Sequence, residues 1–130
     1  MARILLAEDD YSVRSFVARA LELDGHEVTP TEDGGLAMES LHASDGQFDL
    51  VLSDIKMPVM DGIALALWAQ QNFPAVTVVL MTGYADQRER AHGLDAIVAD
   101  VIEKPFELAE LRRRIGRALQ GFRAPISSEA

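Results

Sequence analysis

Six polar residues of this chain stand where short apolar runs end: Glu8, Asp9 and Asp10 after Ile4 to Ala7, Asp54 after Leu50 to Ser53, Thr82 after Val76 to Met81, and Lys104 after Val101-Ile102. Carboxylates gathered at one place repel one another, so they take up protons or bind a cation. The chain has no cysteine, which leaves oxygen ligands, and magnesium suits those: it wants octahedral coordination, keeps several waters, and uses one or two carboxylates plus a phosphate. Asp9 and Asp54 would bind it directly, Lys56 through its backbone carbonyl, and Glu8 directly or through water. Magnesium also neutralises an incoming phosphoryl group, so the Asp54 carboxylate could attack phosphorus and form an aspartyl phosphate. Lys104 would offer its ammonium to the new phosphate oxygens, and the Thr82 hydroxyl a hydrogen bond to another of them.

These residues are far apart in sequence, so the elements that carry them must be laid side by side. Ile4 to Ala7 reads as a buried strand. Val13, Phe16, Val17, Ala20 and Leu21 then mark one face of a helix that ends at a glycine cap near Asp24-Gly25. Glu27 to Thr31 reads as a second strand, and Pro30 within it points to a sheet edge. Asp33-Gly34-Gly35 turns into a short helix through Ala37 and Leu41. Phe48 to Ser53 is the third strand, Ile63 to Phe73 a helix stopped by Pro74, and Val76 to Met81 a strand rich in β-branched residues. Asp86 to Val98 is expected to hold a further helix, weakened by Gly93. Val101-Ile102 is a short fifth strand. Leu108, Leu111, Ile115 and Leu119 are the core face of a last helix, with Arg112, Arg113, Arg114 and Arg117 mostly on its wet side. Five βα units imply an α/β domain with a doubly wound parallel sheet, whose ligand site lies at the carboxyl ends of the strands. All six polar residues are expected there.

At 130 residues the chain suits one domain, ending near residue 120 and followed by a short flexible tail over 121–130. The net charge of −9 excludes an autonomous binder of nucleic acid or anionic membrane. No apolar run approaches the length of a membrane span, and Met1-Ala2 leads straight into the first strand with no signal-like segment, so a soluble, cytoplasmic protein is expected. His26, His42 and His92 lack metal-ligand spacing and read as surface residues. Trp68 and Phe73 read as packing residues, and Met57, Met60 and Met81 as filling the surroundings of the site.

Taken singly, each motif has an ordinary reading: solvated loop acids for Glu8 to Asp10, a turn aspartate for Asp54, a strand end for Thr82-Gly83, a surface lysine before a bend for Lys104-Pro105. Together, Leu6 to Asp10, Ser53 to Pro58, Asp61-Gly62, Met81-Thr-Gly83 and Glu103 to Phe106 resemble the receiver domain of two-component response regulators, from about Ala2 to Leu119. The resemblance implies a flavodoxin-like (βα)5 fold with strand order 2-1-3-4-5 and a magnesium cofactor held by Glu8 and Asp9. It makes Asp54 the phosphoacceptor, Thr82 the switch hydroxyl and Lys104 the phosphate-contacting lysine, and it implies a cis Lys104-Pro105 bond. The family often carries a switch aromatic three positions before the lysine, where this chain has Val101; Tyr84 is the expected substitute. Partners implied are a sensor histidine kinase or phosphotransfer protein and an unidentified output protein. With no effector region expected after the receiver, output would come by phosphorylation-dependent binding through the Asp86 to Val98 segment, the fifth strand and the last helix. Met1 to Asp10 and Thr82 to Ala85 are similar to single-domain receivers of alphaproteobacteria that act as protease adaptors. Two other readings stand beside this one. A phosphate-independent interaction module would not need Glu8, Asp9, Asp54, Thr82 and Lys104 together. An aspartyl-phosphate hydrolase would need an acid two residues after Asp54, where Lys56 stands, so a switch that only gains and loses its own phosphate is expected.

Overall fold

The computed structural model describes residues 1–83, 93–94 and 96–123. Five parallel strands, β1 (Arg3–Ala7), β2 (Glu27–Thr31), β3 (Leu50–Asp54), β4 (Thr77–Thr82) and β5 (Asp100–Glu103), pair in the order β2-β1-β3-β4-β5. The described helices are α1 (Tyr11–Leu23), α2 (Gly34–Ala43), α3 (Gly62–Asn72) and α4 (Leu108–Leu119). The expected doubly wound, flavodoxin-like order is therefore present, with β2 and its Pro30 at an edge.

Side chains alternate across a strand, and both faces of this sheet are apolar because both are covered. Leu5, Ala7, Val51, Val78 and Leu80 join the residues of α2 and α3 in one core cluster. Ile4, Leu6, Leu50, Leu52, Val79 and Ile102 join those of α1 and α4 in the other. Trp68 and Phe73 pack edge to face at 5.7 Å beside the first cluster, as expected of packing residues. Three helices start on an aspartate whose carboxylate accepts a backbone N–H: Asp10 from Val13 (3.1 Å), Asp33 from Leu36 (2.8 Å) and Asp61 from Ala64 (2.8 Å). Each aspartate satisfies a donor that the helix itself leaves unpaired. At its other end α1 stops where Gly25 takes φ +89° and donates to the Glu22 carbonyl.

The structure corrects four readings. Phe16 is 53% exposed, and the buried face of α1 is Val17, Ala18, Ala20 and Leu21. Strand β3 runs over Leu50–Asp54 and β4 over Thr77–Thr82, so Asp54 and Thr82 belong to the strands. Among the described residues 93–94 and 96–98 none is helical: Gly93 has φ +90°, and Ile97 and Val98 both donate to the Leu94 carbonyl in a turn. The remainder of that expected helix, His92 and Tyr84 lie outside the described residues, as do tail residues 124–130.

The fourth correction is Arg114. It leaves the wet side of α4 to bond Asp100, which is only 5% exposed, through both Nε (2.8 Å) and a terminal nitrogen, and also donates to the Val101 carbonyl at 3.1 Å. Asp100 also accepts from the Val101 N–H at 2.8 Å. Arg114→Ala is therefore expected to lower stability by about 2 kcal/mol, below the range for a wholly buried pair because Arg114 is partly wet. Asp100→Asn added to it should restore part of the loss, as read by urea unfolding of both variants.

Candidate functional site

The carboxyl ends of β1, β3, β4 and β5 converge on one edge of the sheet. Glu8 follows β1 directly, and its N–H donates to the Thr31 carbonyl of β2 at 3.1 Å. Asp54 closes β3 opposite Met81, and the Ile55 N–H donates to the Met81 carbonyl at 2.9 Å. Thr82 closes β4 opposite Glu103, and the Lys104 N–H donates to the Thr82 carbonyl at 2.7 Å. This ladder carries β4 as the common neighbour of Asp54 and Lys104, which are fifty positions apart in sequence. The Lys104-Pro105 peptide is cis, as the resemblance implied.

Lys104 stands at the centre of the constellation. Its Nζ donates to Glu8 Oε1 at 2.8 Å and to Asp54 Oδ2 at 3.0 Å. Glu8 is 1% exposed and Asp54 8%, so the ammonium is the cation that allows two nearly dry carboxylates to stand together. Burial raises the pKa of Glu8, against the opposing pull of its hydrogen bonds from Lys104 and Asp10. Burial also works against the charge of Lys104, but its bonds to Glu8 and Asp54 outweigh that and raise its pKa. Asp10 donates its N–H to Glu8 Oε2 at 3.1 Å, and Arg14 donates to the Glu8 carbonyl at 2.7 Å.

Glu8, Asp9 and Asp54 each present a carboxylate oxygen within 4.8 Å of the others, with Asp9 exposed. Three oxygens at that spacing, two fixed by burial and one reachable from solvent, fit a hard divalent cation that retains water. Asp10 is not in this group, because its carboxylate caps α1. The three residues open on a hollow of about 920 Å³ whose walls also include Phe16, Lys56, Met57, Lys104 and Phe106. Thr82, 1% exposed, ends β4, and Val101, 4% exposed, lies in β5 within the core. Met81 is wholly buried and Met57 is 9% exposed.

Sequence reasoning missed Arg14, the aromatic wall of Phe16 and Phe106, and two close approaches that hold the Asp54 loop. A Cβ on Gly34 would lie 2.1 Å from the Met60 carbonyl oxygen, and one on Gly62 would lie 2.2 Å from that of Asp54. Gly34-Gly35 and Asp61-Gly62 were visible as glycines, but a turn explains glycine equally well.

The fold and the site define a doubly wound α/β domain with a cation-ready acidic cluster and a lysine at the carboxyl end of its sheet. Comparison with known proteins agrees: the response regulator receiver domain matches residues 4–116, and the chain belongs to that family of two-component systems. It is 40% identical over 119 residues to the response regulator receiver protein CpdR of Brucella abortus, covering 92% of this chain and 98% of that one. It is 37% identical to the transcriptional regulatory protein PrrA of Mycobacterium tuberculosis, where 98% of this chain spans 54% of the relative. Among solved structures, a CheY-like receiver domain protein from Methanospirillum hungatei superposes with a TM-score of 0.84 at 29% identity, over 93% of this chain and 95% of that one. The response regulator TrrA of Thermotoga maritima, solved in complex with Mg(2+)-BeF, gives 0.80 at 25% identity over 91% of this chain and 99% of that one. Among the described residues no helix is long and apolar enough to cross a membrane.

Proposed function

We propose that the protein is a phosphorylation switch that takes a phosphoryl group on Asp54 from a phosphohistidine of a sensor kinase or phosphotransfer protein. The observation that carries this reading is the position of Lys104 Nζ between Glu8 Oε1 and Asp54 Oδ2, beside three carboxylates within 4.8 Å. In the transfer a carboxylate oxygen of Asp54 attacks phosphorus, the P–N bond to the donor imidazole breaks, and the imidazole keeps the electron pair and takes up a proton. Magnesium held by Glu8, Asp9 and Asp54, with the Lys56 backbone carbonyl, would offset the charge of the phosphoryl oxygens. Lys104 then exchanges Asp54 Oδ2 for a phosphate oxygen, and Thr82 turns its hydroxyl to another.

The product is an acyl phosphate, and Lys56, two residues after Asp54, supplies no acid to speed its turnover. The protein therefore acts as a switch and not as a turnover phosphatase. Its output is the binding of another protein once the charge on Asp54 has changed.

The test is incubation of the full chain with magnesium and acetyl phosphate, followed by mass analysis. One hydroxylamine-sensitive phosphoryl group on Asp54 is expected, absent from Asp54→Asn. No adduct, or an adduct that persists in Asp54→Asn, overturns the proposal.

A further inference from the structure

Asp9 is the exposed member of the acidic cluster. With little packing around it, its place depends on the two peptides that flank it, and each of them is pinned. The carbonyl of the Glu8-Asp9 peptide accepts from Arg14 Nη1 at 2.7 Å, and the N–H of the Asp9-Asp10 peptide donates to Glu8 Oε2 at 3.1 Å. A peptide is planar, so fixing its carbonyl oxygen also restricts the Cα that follows. On its other side Glu8 is tied to β2, where its N–H donates to the Thr31 carbonyl at 3.1 Å. Arg14 also donates its own backbone N–H to the Asp10 carbonyl at 2.9 Å. One residue of α1 therefore bonds to both ends of the Glu8-Asp9-Asp10 turn. Its guanidinium is half-buried and lies over the Tyr11 ring, 5.5 Å from the centroid.

We propose that Arg14 is a positioning residue. Through the Glu8 carbonyl it holds Asp9 where its carboxylate meets those of Glu8 and Asp54, and it thereby sets the affinity of this cluster for a divalent cation. The inference rests on the reading of the three carboxylates as a cation site. Two effects oppose each other. The guanidinium is itself a cation and repels an incoming one, but it is partly wet and screened by salt. Its bond to the carbonyl is charge-assisted and directional, and losing a group that orients a metal ligand costs about tenfold to a hundredfold in affinity. Positioning outweighs repulsion.

The full chain and its variants would be unfolded thermally in EDTA and then across a magnesium series, with acetyl phosphate labelling measured over the same concentrations. The starting temperature reads stability alone, and the rise with magnesium reads affinity for the folded state. Arg14→Met is expected to weaken magnesium about tenfold, while its labelling rate at saturating magnesium stays within about twofold of the parent. Arg14→Lys, which keeps a donor of nearly the same reach, should recover several-fold of that loss. Tyr11→Ala removes an exposed ring that orients the guanidinium and should weaken magnesium about threefold with an unchanged start. The proposal is overturned if Arg14→Met binds magnesium as the parent does, or more tightly, the sign that repulsion alone would give. It is also overturned if the saturated labelling rate falls as far as the affinity, or if magnesium does not stabilise the parent. If the magnesium response follows Arg14 as expected and no adduct forms on Asp54, the phosphoacceptor reading fails and the assignment of Arg14 stands.

Discussion

Gly62→Ala is expected to destabilise the protein by about 3 kcal/mol and to slow phosphorylation of Asp54 about tenfold or more. Two effects oppose each other at this position. Gly62 opens α3, where alanine is the better helix former by about 1 kcal/mol. Against that, the new Cβ would lie 2.2 Å from the Asp54 carbonyl oxygen and 3.0 Å from both the Asp54 carbonyl carbon and Ile55 Cα. These are backbone atoms at the end of a fully buried strand, so no side-chain rotation relieves the contact. Either α3 or the Asp54 peptide must move, and the Gly62 N–H to Ile55 carbonyl bond of 2.8 Å links the two. The clash wins over propensity, and its displacement falls on Asp54. Gly116→Ala in α4 is the control, because nothing lies within 4 Å of its Cβ and propensity alone should then stabilise. Urea unfolding of both variants, with the rate of acetyl phosphate labelling, measures the contrast. Equal stability for Gly62→Ala and the parent would show that the close approach is not a constraint.

The legible features were those that depend on local pattern. Ile4 to Ala7, Leu50 to Ser53 and Val76 to Met81 are runs too short and too apolar for anything but buried strands, so the polar residue ending each had to emerge at one edge of the sheet. That argument placed Glu8, Asp54 and Thr82 without any knowledge of their contacts. Periodicity fixes the angle of a residue around a helix but not its height along it. Phe16 has the right angle for the core, yet it lines the hollow beside Asp54 and is exposed there. Arg114 shares its helix and residue type with three neighbours; only Asp100, fourteen positions away and on the adjacent strand, makes it a buried partner. Val59 adopts φ +72°, a region a β-branched residue rarely enters, and nothing in its identity announced that. It is 84% exposed but closes the loop against the start of α2, where a Cβ on Gly35 would lie 2.8 Å from Val59 Cγ1. Such features arise between elements, where one sequence read alone carries no signal.

Removing the Lys104 ammonium, as in Lys104→Met, is expected to lower stability by about 3 kcal/mol in EDTA and to make the variant gain more from added magnesium than the parent does. Lys104 keeps its two bonds at 2.8 and 3.0 Å to Glu8 and Asp54, whose side chains are 1% and 11% exposed. At the effective dielectric of such sites a unit charge pair about 4 Å apart interacts by about 4 kcal/mol, so the lost attraction is comparable with the total stability of many domains. Methionine fills the volume of the lysine stem, which isolates the charge from the packing. The same carboxylates, with Asp9, then present their oxygens within 4.8 Å of one another with no internal cation. An added divalent ion meets less competition for Glu8 and Asp54, and stabilisation by a ligand follows its affinity for the folded state. Thermal unfolding across a magnesium series reads both effects at once. The variant should start lower and climb further, and parallel curves for the two proteins would mean that Lys104 and the divalent ion do not share these carboxylates.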